Sequence, residues 1–339
     1  MPSDTVFDAA ALTTWARRLL EARGVDPDKA DAVAAVLVEA DLLGHDTHGL
    51  ALLGPYLGKL DKGGLVGRGE IAVLSDRPAA LLWDGNRLPG PWVTLQAIAT
   101  ASERARAAGA ASVVTRRSGH IACLAAYLEA PARDGLMVEI YSSDPSVASV
   151  APFAGKRAVF TPNPLAIGIP TSGDPVMIDI STSITTNGMS ARLQAAGKRF
   201  PGKWLLDNEG APTDDPAVFS DDPKLLGGVD AGHKGYGLTL MVEAMTDRRA
   251  CRLRPRRWRG PLGRDGHGAD HRHDGLRRSR RLRPPARLGR DRLPRDPGHR
   301  RRPASAAARP AGPRAQGPSA GRGAAAEPGG ARLRRDAGG

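Results

Sequence analysis

The sequence predicts an α/β fold with an N-terminal helical cap, a mixed sheet and a disordered C-terminal tail. Apolar residues recur at helical spacing over residues 1–70, and short apolar strands alternate with helices from Ile71 onward. After Asp247 most core-forming residue types disappear, so that a packed interior can no longer be built. We therefore divide the chain into a helical segment over 1–70, an α/β domain over 71–247, and an off-pattern tail over 248–339.

The N-terminal helical cap is predicted to contain three helices. One face of the first helix is formed by Val6, Phe7, Leu12, Trp15 and Leu19. Gly24 ends that helix, and Asp26 followed by Pro27 indicates the N-cap and first position of a second helix. The second helix runs up to Gly44. A third, Leu50 to Leu60, follows a polar loop that carries two histidines.

From Ile71 the pattern alternates between strands and helices. The predicted strands are Ile71–Leu74, Ala80–Trp83, Ala111–Thr115, Leu136–Tyr141, Leu165–Ile169 and Val176–Ile180. The predicted helices are Pro91 to Ala108, Ile121 to Arg133, one that starts near Ile184, and Leu238 to Met245. The stretch from Lys203 to Gly228 is rich in Asp, Gly and Pro, and is interpreted as a long surface excursion.

The net charge of +13 is located entirely in the tail. Residues 248–339 contain 27 Arg, no Lys and 7 acidic residues, which gives this segment a net charge of +20. The preceding residues hold 22 basic and 29 acidic side chains, a net charge of −7. The body of the protein is therefore acidic.

Three interpretations of the tail compete. A basic arm for nucleic acid or membrane surfaces would mix Lys with Arg and interleave aromatics. A natural disordered linker would be richer in Ser, Glu, Gln and Lys. The third is a shifted reading frame in a GC-rich gene, because Arg, Pro, Gly and Ala have GC-rich codons. The tail lacks Val, Ile, Phe, Tyr, Met, Lys, Asn and Thr, and this abrupt loss favours the frameshift.

Four histidines precede the tail, each beside a glycine: His45, His48, His120 and His233. Histidine exchanges protons near neutral pH. Any one of them alone is most simply a residue that orders a turn. His48 and His120 are candidates for proton exchange, and the family resemblance described below is what favours a catalytic role for the two together; His45 is interpreted as structural. His45 and His48 could be two metal ligands, but no third ligand stands at metal-site spacing, so no metal site is predicted.

Several further features restrict the class of protein. No stretch of eighteen apolar residues is present, so no membrane span is expected. The two cysteines, Cys123 and Cys251, suit a reducing cytoplasm, and no secretory signal is evident. The stretch from Gly67 to Ala72 imitates a dinucleotide fingerprint, but it precedes a strand and is rejected. The glycine-rich helix start around Lys234 is a plausible anion site.

Five stretches together resemble the malate/L-lactate dehydrogenase family of type-2 oxidoreductases. They are Asp41–Leu50, Ser118–His120, Asn163–Ile167, Asp179–Ser183 and His233–Leu238. The resemblance runs from about Val6 to Thr246 and stops where the composition changes. It implies a non-Rossmann α/β fold, a homodimer, and hydride transfer between NAD or NADP and a small 2-oxo or 2-hydroxy acid.

The same resemblance implies the roles of individual residues. His48 and His120 would flank the reacting centre, and Thr47 would orient His48. The cofactor would lie along Ser142, Ser143, Asn163, Asp179, Ile180, Ser181 and Lys234.

The chain also departs from the family pattern at the expected substrate grip. Many relatives carry Arg four residues after the matched histidine, where this chain has Leu52. Some members have an acidic residue in place of Met189 and Asn in place of Gly119. The missing positive charge could be supplied by Arg116, Arg117 or Arg192.

The sequence therefore predicts a cytoplasmic NAD(P)-dependent 2-hydroxy acid dehydrogenase whose aberrant C-terminus impairs it. The alternative is a non-catalytic, Arg-rich nucleic-acid-binding protein built on a decayed enzyme body. We expect a small-molecule substrate and no membrane partner, and nucleic acid is not favoured as a partner.

Overall fold

The computed structural model describes residues 6–219, 231–248 and 333–334. The α-helices are α1 (Ala9–Glu21), α2 (Pro27–Leu42), α3 (Leu53–Asp61), α4 (Gly90–Ala108), α5 (Glu129–Arg133), α6 (Asn187–Ala195) and α7 (Gly232–Glu243). Short 3₁₀-helices span Leu50–Leu52, Ala125–Tyr127 and Pro216–Phe219, and a π-helical turn, Ala244–Arg248, extends α7. All described residues belong to one compact unit.

The strands form two three-stranded sheets and two small pairs. They are β1 (Phe7–Asp8), β2 (Ala72–Arg77), β3 (Ala80–Asp84), β4 (Ser112–Arg116), β5 (Val138–Tyr141), β6 (Leu165–Ile169), β7 (Val176–Ile180), β8 (Leu205–Leu206), β9 (Pro212–Thr213) and β10 (Leu333–Arg334). In the first sheet β2 is antiparallel and β4 parallel to β3, which is the mixed sheet expected from the sequence. The second sheet, β5-β6-β7, is wholly antiparallel.

The structure describes the tail at only a few positions. The expectation of disorder falls almost entirely outside the described residues. Arg248 closes the π-helical turn, and Leu333–Arg334 pair in parallel with Phe7–Asp8. The predicted boundary at residue 70 stays a prediction.

The start of the chain follows the predicted pattern with two differences. Phe7 lies outside the first helix, which begins after Asp8, whose carboxylate accepts a hydrogen bond from the N–H of Ala11 at 2.6 Å. Asp26 is the N-cap of α2 and Pro27 its first residue, as predicted, but the Asp26 side chain makes no capping hydrogen bond. Its carboxylate instead accepts from the ammonium group of Lys29 at 3.1 Å, because that buried cation needs a counter-charge.

The predicted helix from Ile121 to Arg133 is wrong. Only a 3₁₀ turn and the short α5 form there, and the chain before them is irregular. Ala122 has a φ of +57°, which interrupts a right-handed helix, and its N–H donates to the ring of His120 instead of to a helical carbonyl. The backbone at Ala122 therefore holds the His120 ring in place and does not continue a helix.

Three other elements differ from the prediction. The last helix, α7, begins at Gly232 rather than at Leu238. Helix α6 begins at Asn187 rather than near Ile184, because the hydroxyl of Thr186 caps it by accepting from the N–H of Met189. The predicted surface excursion after Lys203 contains the β8-β9 hairpin in its described part. Leu205 in that hairpin is fully buried, which a surface loop would not be.

The largest hydrophobic cluster lies under α1 and α2. Its buried members include Leu20, Val33 and Leu37, and Tyr56 of α3 packs into the same cluster. This packing fixes the position of the loop that follows α2 and of the histidines it carries. In the described part of the chain we find no helix long and apolar enough to cross a membrane.

Candidate active site

The loop that carries His45 and His48 is held by Asp41 of α2. The Asp41 carboxylate accepts a hydrogen bond from the N–H of Leu50 at 2.9 Å. A side chain at Gly49 would place its Cβ 2.0 Å from the same carboxylate, so glycine is required there. Burial raises the pKa of Asp41, while the Leu50 N–H opposes that shift. Asp41 therefore shapes the loop rather than reacting.

His48 is half-buried and is oriented by its neighbour. The hydroxyl of Thr47 lies 2.9 Å from Nδ1 of His48, which agrees with the orienting role expected for Thr47. Burial lowers the pKa of His48, and the charge of Asp179 acts in the opposite direction. His48 is thus favoured in its neutral form.

The His120 loop packs tightly against the start of α4. The N–H of Gly119 donates to the carbonyl of Leu88 at 2.9 Å. A Cβ at Gly90 would lie 2.3 Å from the carbonyl oxygen of Gly119 and 2.4 Å from that of His120. A glycine at the first position of α4 is therefore a condition for the position of His120.

The ring of His120 is fixed at Nδ1. The backbone N–H of Ala122 donates to Nδ1 at 3.1 Å, so Nδ1 is an acceptor and the ring proton of the neutral imidazole is on Nε2. The hydroxyl of Tyr56 lies 3.0 Å from Nδ1 and donates to the carbonyl oxygen of His120 at 2.9 Å. Burial of this side of the ring lowers the pKa of His120 to about 4, and the charges of His48 and Lys59 act in the same direction.

His48 and His120 form one site, as their predicted roles require. Their rings stack with centroids 5.9 Å apart and an interplanar angle of 26°. The protein around His120 lowers the pKa of its ring, but part of the residue remains exposed to solvent. A small molecule can therefore reach the ring. Within the described residues, Nε2 of each ring has no hydrogen-bond partner. Two neutral imidazoles therefore present free nitrogens at one place.

Asp179 lies beside this pair at the end of β7. Its carboxylate accepts from the N–H of Ala125 at 2.8 Å and from the thiol of Cys123 at 3.5 Å. Sequence spacing offers no third metal ligand near His45, but the fold brings both Cys123 and Asp179 next to it. The sequence analysis predicted no metal site because it found no third ligand. The fold supplies two further donors beside His45, so that reason no longer holds.

The other residues implied to bind the cofactor fall into two groups. Ile180 is exposed and Lys234 is exposed at the start of α7, so both can contact a ligand. Asn163 is fully buried, where Thr161 donates to its amide oxygen at 2.6 Å and its amide nitrogen donates to Glu243 at 2.8 Å.

The serines in this set are partly buried. The hydroxyl of Ser143 lies 2.7 Å from that of Thr246, and the hydroxyl of Ser181 donates to the carbonyl of Ser183 at 2.6 Å. The N–H of Ser142 donates to the carbonyl of Pro164 at 3.1 Å. Their contacts with a cofactor stay a prediction, as does that of Asn163.

The three candidate arginines differ in their surroundings. Arg116 and Arg117 both pair with the buried Asp84, at 2.8 Å and 2.9 Å. Burial alone would raise the pKa of Asp84, but the Asn86 N–H and both guanidinium groups outweigh it and lower that pKa. Both guanidinium groups therefore serve as counter-charges to the buried Asp84 carboxylate.

Arg192 of α6 is placed differently. It is half-exposed and pairs with Asp46 in the histidine loop. Both residues line a cavity of about 360 Å³, together with Thr47, Ala51 and Gly188. Leu52, which replaces the arginine of many relatives, packs against the main hydrophobic cluster. Arg192 is therefore the candidate cation next to the histidine loop.

Sequence reasoning missed the contributions of Asp41, Tyr56 and Cys123. Asp41 stood inside the matched motif without an assigned role. Tyr56 follows His48 by eight residues, but nothing in that spacing shows that it reaches a histidine 64 residues away.

The fold of this chain is similar to those of solved malate dehydrogenase structures. The structure of malate dehydrogenase from Entamoeba histolytica superposes with a TM-score of 0.68 and 27% identity, covering 72% of this chain and 70% of that one. The malate/L-lactate dehydrogenase family profile matches residues 7–248. The chain belongs to the malate/L-lactate dehydrogenase family.

Two characterised relatives show the extent of the similarity. L-sulfolactate dehydrogenase of Methanothermobacter thermautotrophicus is 32% identical over 230 residues, covering 68% of this chain and 66% of the relative. The (2R)-3-sulfolactate dehydrogenase (NADP(+)) of Chromohalobacter salexigens is 34% identical over 236 residues, covering 69% of this chain and 68% of the relative. This chain thus matches about two thirds of the length of these proteins.

Proposed function

We propose that the chain is an NAD(P)-dependent dehydrogenase that interconverts small 2-hydroxy acids and 2-oxo acids. The observation that carries the proposal is the stacked pair of neutral histidines, His48 and His120, with free Nε2 atoms. The names of its relatives, which include malate and sulfolactate dehydrogenases, indicate the substrate class.

Reduction of a 2-oxo acid places negative charge on the former carbonyl oxygen, which must be stabilised and then protonated. Because Nδ1 of His120 accepts from Ala122, its Nε2–H is the group that can donate to this oxygen. His48 has Nδ1 engaged by Thr47, which leaves Nε2 as a second proton-exchanging atom for the same oxygen. In the oxidation of a hydroxy acid the same nitrogens would accept the proton.

The substrate carboxylate needs a cation, and we assign this role to Arg192. It borders the cavity beside Thr47, and its present partner, Asp46, is exposed and can be displaced by a substrate carboxylate. A guanidinium group suits this task because it binds carboxylates through two parallel hydrogen bonds.

The residues around α7 are suited to a nicotinamide dinucleotide. Helix α7 has twelve residues, and the exposed Lys234 stands in its first turn. Such a helix start with a lysine favours a phosphate group. Ser142, Ser143, Asn163 and the segment Asp179–Ser181 would form the rest of the binding surface. When bound, the nicotinamide exchanges the hydride with C2 of the substrate.

A homodimer would cover part of the second sheet. Val176, Ile178 and Ile180 lie on one face of β7 and are 48%, 37% and 43% exposed. An exposed apolar row of this kind is typical of an interface. Light scattering coupled to size-exclusion chromatography should give twice the chain mass, and a monomer at all concentrations would contradict the dimer.

The off-pattern tail is proposed to impair the enzyme. The family match ends at residue 248, where the composition changes. Leu240 and Met241 of α7 are 45% and 39% exposed, whereas Val242 is fully buried. On this proposal, a family-like continuation would cover these exposed apolar residues of α7.

The test is to sequence the DNA across the codons for Met245–Arg249 and to express the chain in both frames. Reduced nicotinamide oxidation would be followed with pyruvate, oxaloacetate and 3-sulfopyruvate. We expect activity with at least one 2-oxo acid in the restored frame, and a lower soluble yield and activity for the chain that carries the arginine-rich tail. No activity in the restored frame, with salt-dependent DNA binding by the full chain, would instead favour the nucleic-acid-binding alternative, whose basis lies in tail residues outside the described structure.

A further inference from the structure

Three donor side chains next to the histidine pair come together from distant parts of the sequence. His45 lies in the loop after α2, Cys123 follows His120, and Asp179 is the penultimate residue of β7. Each offers one ligand atom, and these three atoms lie within 4.8 Å of one another. The tertiary fold, rather than local spacing, builds this cluster.

We propose that His45, Cys123 and Asp179 bind a divalent cation of borderline softness, with Zn²⁺ as the best-suited ion. Imidazole nitrogen, thiolate sulfur and carboxylate oxygen are the three donor types that zinc takes from proteins. The sulfur disfavours Mg²⁺ and Ca²⁺, which prefer oxygen ligands only. Three protein ligands leave the fourth tetrahedral position open.

The geometry requires only a small contraction. In a tetrahedral zinc site the donor atoms are about 3.3–3.8 Å apart, so the widest separation here must close by roughly 1 Å. Asp179 is already held by the N–H of Ala125, as metal-binding carboxylates commonly are. His45 is only half-buried, and its ring is the part that can move.

A metal ion bound here would have to replace the proton of the Cys123 thiol. Burial and the nearby Asp179 carboxylate raise the pKa of Cys123 to about 12, so the thiol stays protonated and donates to that carboxylate. A divalent ion would displace this proton to solvent and leave a thiolate bound to the metal. The ion would then neutralise the buried Cys123 thiolate and the half-buried Asp179 carboxylate.

An ion bound at this site would change the electrostatic environment of His48. The negative charge of Asp179 acts on His48, and a bound cation would cancel that charge. If Asp179 also contacts the dinucleotide, as the proposed function has it, ion and cofactor would compete. That consequence depends on the proposed function, whereas ion binding itself does not.

The direct test is Co²⁺ and Zn²⁺ binding to the full chain in a Cys251→Ser background, after removal of metals with a chelator. Cys123 is then the only thiol, so a thiolate-to-cobalt charge-transfer band reports on this site even if histidines elsewhere bind cobalt. Zn²⁺ affinity would be measured by competition with a chromophoric chelator. We expect one equivalent of Co²⁺ to produce the band and Zn²⁺ to abolish it.

Cys123→Ser should remove the band, and His45→Ala should weaken Zn²⁺ binding by roughly tenfold or more. His233→Ala is the matched control, because it removes an exposed histidine outside the cluster and should leave both signals unchanged. Circular dichroism would confirm that each variant is folded, and His45→Ala remains informative if Cys123→Ser is not. No charge-transfer band in the Cys251→Ser chain, or His45→Ala and Cys123→Ser binding Zn²⁺ as tightly as their parent, would overturn the proposal.

Discussion

The hydroxyl of Tyr56 lies 3.0 Å from Nδ1 of His120 and 2.9 Å from the carbonyl oxygen of the same residue, although 64 residues separate the two in sequence. The contact joins the buried face of α3 to the loop after β4. The Tyr56 hydroxyl has one proton, which the backbone carbonyl and Nδ1 of His120 can only share as acceptors. Tyr56 is therefore a positioning residue for the site.

Tyr56→Phe should lower kcat for 2-oxo acid reduction while leaving KM nearly unchanged. Losing a hydrogen bond of ~1 kcal/mol corresponds to about a fivefold change in rate. Tyr127→Phe is the control, because its hydroxyl is also buried but bonds the carbonyl of Ile121 rather than the His120 ring. Equal kcat values for both variants, measured by steady-state kinetics, would remove the positioning role.

Gly90→Ala should destabilise the fold and displace His120, because the added Cβ would lie 2.4 Å from the His120 carbonyl oxygen. Gly58→Ala is the matched control on α3, where nothing lies within 4 Å of the added Cβ. It should stabilise the helix by about 0.5–1 kcal/mol. Thermal unfolding of the two variants checks this, and a Gly90→Ala protein as stable as the Gly58→Ala protein would contradict the packing described.

Stability should fall as the pH drops from about 6.5 towards about 4. The pKa of His120 is lowered from 6.5 to about 4, so the unfolded chain binds a proton in this range that the folded chain does not. The stabilising effect of the neutral ring is complete above pH 6.5. Because His120 is partly open to water, we expect a loss of about 1 kcal/mol rather than the larger value of a sealed site.

Urea unfolding at several pH values measures this dependence. His120→Gln cannot titrate and should flatten the curve between these pH values, although His48, whose pKa is also lowered, would keep part of the slope. An unchanged slope in His120→Gln would show that another group titrates instead.

The fold was largely predictable where local patterns decide it. Strands β6 and β7 have the predicted bounds, because two apolar runs flank a Gly173-Asp174 turn. The helix predicted from Ile121 fails because a tertiary contact, from Ala122 to the His120 ring, competes with helical hydrogen bonds. Hydrophobic periodicity depends only on the spacing of apolar residues, so it cannot predict a tertiary hydrogen bond of this kind.

The family resemblance supplied the residues proposed for the candidate site, but their contacts could not be read from the sequence. The pairing of His48 with His120 followed from resemblance, and the structure places them together. The commitment of Arg116 and Arg117 to Asp84 could not be read from sequence, because it depends on the register between β3 and β4.

Arg192→Ala should raise KM for 2-oxo acids about 10- to 100-fold with a smaller effect on kcat, since a lost charged hydrogen-bonding pair costs about 1.5–3 kcal/mol. Asp46→Asn should lower KM, because it frees Arg192 from its present partner. Arg199→Ala is the control, since its partner Asp214 lies away from the histidine loop in sequence. If Arg192→Ala leaves KM unchanged for every 2-oxo acid tested, another residue binds the carboxylate.

The central claim, that His48 and His120 are the proton-exchanging groups of a 2-oxo acid reductase, is tested most directly by the turnover of single variants. The measurement is the rate of reduced nicotinamide oxidation with the best 2-oxo acid, for His48→Ala, His120→Ala and His45→Ala in the restored frame. A positioned acid or base contributes ~10²–10⁴-fold, so the first two variants should lose at least that lower factor while His45→Ala loses much less. Near-parental turnover in both His48→Ala and His120→Ala would contradict the account.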